Sequence, residues 1–218
     1  LKPDLTVETL IEEAKTFAEA ESTHPEPTLY GGVVSKRIGT YIEQKFKAFL
    51  ATKYNFVEGN TSSGLDLPGL GVDIKVTSIA RPQSSSPFKS ARQKIFGLGY
   101  SLLVFVYSKT DDHETRAATL NILHTIFVKK ERTADYQTTT GLNKILAKNG
   151  DADEIVKFLH KRKLFIDEAE AYKIAGEILA GGPLVEGYLT ISNALQWRPK
   201  YVRVIKEAGS VKGIIRVR

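Results

Sequence analysis

Early in the chain, apolar residues fall at Val7, Leu10, Ile11, Ala14, Phe17 and Ala18, a spacing of three and four that gathers them on one helical face. The spacing predicts a helix that starts after Thr6 and ends near Ser22. His24-Pro25-Glu26-Pro27 stops it, because proline has no amide proton and biases the residue before it away from helix. A second helix is expected after Ser35, burying Ile38, Tyr41, Ile42, Phe46, Phe49 and Leu50, with Gly39 and Glu43 one turn apart on a common side.

The period changes after Asn55. Val72, Ile74 and Val76 alternate with Asp73, Lys75 and Thr77, the signature of a strand with one face buried. A loop from Arg81 then leads into a short basic helix around Lys94. Leu102 to Tyr107 is a near-continuous apolar run expected to form a buried strand, and Leu120 to Val128 predicts another. Three helices follow, at about Thr139 to Lys148, Asp151 to Lys163 and Asp167 to Ala180, the last stopped by Gly181-Gly182-Pro183. Tyr201 to Ile205 and Val211 to Val217 flank an Ala-Gly-Ser turn and predict a terminal β-hairpin. The expected class is α/β (α+β), not a Rossmann series, with residues 1–218 forming one domain. Its core spans about 30–130, followed by a helical and hairpin subdomain from about 139–218.

Composition narrows the function. At 218 residues, 42% hydrophobic and 26% charged, the chain is long and apolar enough for a packed core. It contains no cysteine, and its four histidines show no metal-ligand spacing, so zinc and thiol chemistry are not expected. The missing cysteine suits a reducing cytosol, and no apolar run is long enough to span a bilayer. The net charge of +6 is uneven: the first thirty residues hold two basic against seven acidic side chains, whereas Arg198 to Arg218 holds seven basic residues and one acid, Glu207. A polyanion is the expected partner.

Candidate chemistry concentrates at Asp66, Asp73 and Lys75. A tight reversal through Pro68-Gly69-Leu70-Gly71 would set Asp66 beside Asp73, two hard carboxylates able to share a divalent cation, for which oxygen ligands favour magnesium. Lys75 lies on the same strand face as Asp73, about 6 to 7 Å along. Separately, each residue has an ordinary explanation, a turn former or a chance D-x-K triplet. Together, with Glu43 on an amphipathic helix upstream, they are costly to place without a function.

The run Leu65-Asp66-Leu67-Pro68-Gly69-Leu70-Gly71-Val72-Asp73-Ile74-Lys75-Val76-Thr77 resembles the active-site hairpin of the PD-(D/E)xK nucleases, in particular the MutH mismatch-repair nuclease and its relatives among type II restriction endonucleases. The proline follows the first acid here, and the interval from Glu43 to Asp66 is longer than in that pattern. The resemblance implies a restriction-endonuclease-like mixed sheet flanked by helices. It implies Asp66 and Asp73 as metal ligands with the Ile74 carbonyl, Lys75 as the residue that positions the attacking water, and Glu43 as a helical glutamate reaching the metal's outer shell. Lys94 falls where the pattern has a second basic residue.

The expected function is therefore a Mg2+-dependent, site-specific endonuclease on double-stranded DNA that leaves 5′-phosphates and acts as a homodimer. DNA contacts are expected from Arg81, Gln83, Lys89, Arg92, Lys94, Arg198 and Lys200, most of them to phosphates. Arg81, Gln83 and Arg92 have the donor geometry to read base edges. For Lys157 to Lys163 a solvated helix face is expected, and for Trp197 and Tyr201 a place in a small core. The first helix serves dimerisation or packing. The alternatives are a mismatch-repair nicking enzyme and a non-catalytic DNA-binding module; with no G-x-x-x-x-G-K-[ST] loop, no nucleotide cofactor is expected.

Overall fold

A computed structural model describes residues 2–59, 64–85, 90–192 and 198–218. The first apolar stripe forms α1 (Val7–Glu21), whose start is closed by a capping box in which Thr6 and Thr9 accept each other's backbone N–H at 3.2 and 3.0 Å. After the short β1 (Pro25–Glu26), α2 (Ser35–Lys53) buries Ile38, Ile42, Phe46 and Leu50, four residues apart throughout. Phe17 of α1 and Phe46 of α2 meet at 5.0 Å between ring centroids, and both contact Phe105 of the sheet, at 5.8 and 5.2 Å. The acidic first helix is thus bound into the core through its apolar stripe.

The alternating segment forms β2 (Val72–Ser78), joined through α3 (Arg92–Phe96) to β3 (Ser101–Asp112), which runs parallel to it. β4 (Ala117–Val128) returns antiparallel to β3. The sheet order is β1-β4-β3-β2, so among the described residues β2 is an edge strand. Both long strands run further than their apolar centres predict, because the polar residues Lys109–Asp112 still pair with Ala117–Leu120. Asp112 closes the turn, its carboxylate accepting from Glu114 N–H and from the Thr115 hydroxyl, each at 2.8 Å.

Helices α4 (Tyr136–Leu146), α5 (Ala152–Lys161) and α6 (Glu168–Gly181) share their own apolar cluster, with Leu142, Ile155, Leu159, Ile174 and Ile178 inside. Aspartates at Asp135, Asp151 and Asp167 cap the three starts. β5 (Thr190–Ile191) and β6 (Pro199–Lys200) form a small antiparallel pair.

The expected terminal hairpin is corrected. Residues 202–207 form helix α7 (Val202–Glu207), and the last strand, β7 (Ile214–Arg216), joins the central sheet on the edge of β4 that β1 uses at its other end. A strand would have placed Val202 and Val204 on one face. Instead Val204 is buried with Tyr201 and Ala208, at helical spacing, while Val202 is 63% exposed. Helical burial against the sheet overrides the β-propensity of Val-Arg-Val-Ile. Among the described residues no helix is long and apolar enough to cross a membrane.

Candidate active site

The reversal before β2 is narrow. Leu67 and Val72 exchange backbone hydrogen bonds at 3.0 and 3.2 Å around Pro68-Gly69-Leu70-Gly71. Gly71 takes a left-handed φ of +62°, a conformation a side chain would strain. Leu67 is buried and anchors the turn, which leaves Asp66 alongside the outer edge of β2. There its Oδ2 accepts the Ile74 N–H at 2.8 Å. Within one residue of an extended strand N–H and C=O project to the same side, so the Ile74 carbonyl also faces this edge.

Asp66 and Asp73 are close enough to share a hydrogen bond. Burial and the neighbouring Asp66 push the Asp73 carboxyl up to about 7, against the opposing pull of Lys75. Burial works in the same direction on Asp66, but hydrogen bonds from Asp73, Lys47 and the Ile74 N–H outweigh it and hold that carboxyl below its usual value. One carboxyl is therefore kept ionised while its neighbour retains a proton near neutrality. Lys75 Nζ lies 2.7 Å from Asp73 Oδ2, confirming that the two share a face.

A residue that the sequence reading missed completes the group. Lys47, one turn after Glu43 on α2 and only 8% exposed, places its ammonium 2.7 Å from Glu43 Oε1 and 2.9 Å from Asp66 Oδ1. Burial disfavours its charge, but the two carboxylates more than compensate and raise its pKa. Burial raises the Glu43 carboxyl in turn, with Lys47 opposing. The signal was present in sequence: a lysine following Phe46 on the apolar side of a helix, at i+4 from a glutamate. The structure thus brings Glu43, Lys47, Asp66, Asp73, Ile74 and Lys75 together where α2 meets the edge of the sheet.

The remaining candidates lie elsewhere. Arg81, Gln83 and Arg198 line an open groove of about 650 Å3 that also touches Val76, Thr77 and Ser78 of β2. Lys200 is exposed on β6 and bridges to Gln83. Arg92 is held by two carboxylates of α6, Glu170 at 2.9 Å and Glu177, and packs on the Phe96 ring. Lys94 is fully buried, with Asp135 and Arg162 as electrostatic neighbours and its pKa lowered by burial. Neither residue is grouped with the carboxylates, because the pairing that holds α3 comes from the C-terminal helices. Lys157, His160, Lys161 and Lys163 are exposed, as expected of a solvated face, and Tyr201 is buried in a core. Lys89 and Trp197 lie outside the described residues.

Among the described residues no three histidine, cysteine, aspartate or glutamate side chains are arranged to hold a metal ion. Two carboxylates and a backbone carbonyl on one edge nevertheless suit a hard cation such as magnesium, which keeps several waters and commonly takes only one or two protein carboxylates.

Comparison with known proteins adds the decisive observation. The family model of the type II restriction enzyme NspV matches residues 4–216. The chain belongs to that family. It is 60% identical over 213 residues to the type II restriction enzyme NspV of Nostoc sp. (strain ATCC 29411 / PCC 7524), covering 98% of this chain and 96% of that protein. No solved structure matches. As a type II restriction enzyme the protein is a site-specific deoxyribonuclease acting on double-stranded DNA, which removes the passive DNA-binding module from consideration. The matched span runs over nearly the whole chain and includes α2, the turn and β2.

Proposed function

We propose that the enzyme hydrolyses the DNA phosphodiester at the outer edge of β2, in the manner of the PD-(D/E)xK nucleases, leaving 5′-phosphates. The observation that carries this reading is the pairing of the half-buried Asp66 with the buried Asp73, between the ammonium groups of Lys47 and Lys75. Asp66, Asp73 and the Ile74 carbonyl would hold Mg2+. When bound, the cation would lower the pKa of water and neutralise charge on the nonbridging oxygens.

The chain's own residues supply the rest. Lys75, held against Asp73, presents a positive charge beside the scissile group and orients the attacking water. Lys47 ties α2 to the turn by bridging Glu43 and Asp66, so that the Asp66 carboxylate keeps its orientation toward the Ile74 amide. Glu43 acts from the outer side of the group. Arg81, Gln83, Arg198 and Lys200, around the groove next to the end of β2, serve as DNA contacts. Cutting both strands of a symmetric site calls for two such centres, hence a homodimer.

The test incubates plasmid DNA with the wild type and Lys75→Ala, with Mg2+ and with EDTA, and maps the fragment ends. Discrete double-strand cuts with ligatable 5′-phosphates, lost with EDTA and in Lys75→Ala while DNA binding persists, are expected. Cleavage that survives in Lys75→Ala would contradict the assignment, and nicked circles alone would favour a single-strand nicking enzyme.

A further inference from the structure

Thr77 lies two residues beyond Lys75, so Asp73, Lys75 and Thr77 project from one face of the same strand. It is 4% exposed. Its hydroxyl is engaged by the loop that follows β2: Oγ1 lies 3.2 Å from the Arg81 carbonyl and 3.0 Å from the Gln83 carbonyl, and accepts the Gln83 N–H at 3.0 Å. The hydroxyl proton is thus shared between two carbonyls of one loop while a lone pair takes that loop's amide.

The loop is held from its other side as well. Tyr201 N–H donates to the Pro82 carbonyl at 2.8 Å, Ser84 N–H donates to the Pro199 carbonyl at 3.1 Å, and Gln83 bridges to Lys200. The backbone from Arg81 to Ser84 is pinned between β2 and β6. The side chains of Arg81 and Gln83 differ: among the described residues no hydrogen bond or ion pair holds either of them, and both line the open groove of about 650 Å3 together with Lys36 and Arg198. Fixed backbone carrying unengaged donor-rich side chains is the arrangement expected of groups that read a partner's polar edges, arginine suiting guanine and glutamine suiting adenine.

We propose that Thr77 is a positioning residue for sequence discrimination, its hydroxyl fixing the base-reading side chains Arg81 and Gln83 in register with the catalytic strand. The inference rests on the cleavage reading above. It adds that recognition and chemistry are joined by one side chain on one strand, so that correct base contacts and correct placement of the scissile phosphate come together.

The experiment measures kcat/KM on duplexes carrying the enzyme's own site, found by mapping fragment ends, and on duplexes altered by one base pair, for wild type, Thr77→Val, Thr77→Ser and Gln83→Ala. Thr77→Val is expected to narrow the ratio between cognate and altered sites by about tenfold, the size of one lost base-edge contact. Thr77→Ser, which keeps the hydroxyl, restores the ratio. Gln83→Ala narrows it too, and Thr77→Val adds little on top, as coupled positions should. An unchanged ratio in Thr77→Val, or equal losses on both duplexes, overturns the proposal. Should Thr77→Val not fold, an unchanged ratio in the groove-lining variant Gln83→Ala overturns it instead. A wild type that cuts no DNA sinks the cleavage reading and this link together, whereas a specific wild type with an equally discriminating Thr77→Val sinks the link alone.

Discussion

One buried aspartate and one aspartate pair in this protein have opposite characters. Asp135, 1% exposed, accepts from the Thr138 N–H at 2.8 Å, the Thr138 hydroxyl at 2.7 Å and the Ile191 N–H at 2.8 Å, with Arg162 3.5 Å away. Its hydrogen bonds cap α4 and tie it to β5, and they leave a satisfied charge. Asp66 and Asp73 face each other instead, and Asp73 retains a proton near neutrality that burial and its neighbour impose. Burial alone does not mark a functional acid. The mark is a conflict between carboxyls that a hard cation would relieve, beside ammonium groups that the fold has brought in at the cost of desolvation.

The contrast can be broken first by rate. Lys75→Ala is expected to reduce cleavage by about a thousandfold, the upper range for losing one preorganised charge at a reacting group, with little change in DNA binding by gel shift. A small loss would mean that Lys75 merely balances Asp73. Next comes stability. Asp135→Ala strands three donors in the interior and is expected to cost about 3 to 5 kcal/mol in denaturant unfolding. An Asp135→Ala protein of wild-type stability would erase the distinction.

Asp73→Asn should do the reverse. Because the folded protein holds a proton on Asp73 up to about pH 7, against an ordinary 3.8, the folded state binds more protons than the unfolded state across that window. Stability from this group is present in full below pH 3.8 and is lost as pH rises through 7. Asp73→Asn removes the loss, so the variant should be the more stable protein at pH 8, by a few kcal/mol and at most about 4, with the gain gone at pH 4. Thermal melts of both proteins across pH test this, and a destabilised variant at pH 8 would contradict it. The smallest effect belongs to the exposed Lys200. If it touches one phosphate, Lys200→Ala lowers the slope of log affinity against log salt by about 0.9 and leaves the cleaved sequence unchanged.

Much of this was legible in the chain. Helices α1, α2, α4, α5 and α6 follow from three-and-four spacing, β2 from strict alternation, and the approach of Asp66 to Asp73 from the Pro-Gly-Leu-Gly reversal between them. What escaped the reading depends on distant partners. Arg92 looks like a DNA contact until α6, nearly eighty residues later, supplies Glu170 and Glu177. Lys94 is drawn inside beside Asp135, and α7 is helical because its spacing suits the face of the sheet it covers, although its local composition favours a strand. Lys47 was missed for the opposite reason. Its pairing with Glu43 is local, but only the folded turn shows that the same ammonium also reaches Asp66.

The central claim is that Asp66 and Asp73 jointly hold the cation that DNA cleavage requires. Anomalous diffraction from crystals of the full chain soaked in Mn2+, a stand-in with the same preference for oxygen, tests it most directly. The account predicts a peak about 2.0 to 2.2 Å from carboxylate oxygens of both residues, lost in Asp66→Asn. A peak that lies away from β2, or that persists on Asp73 alone in Asp66→Asn, would contradict it.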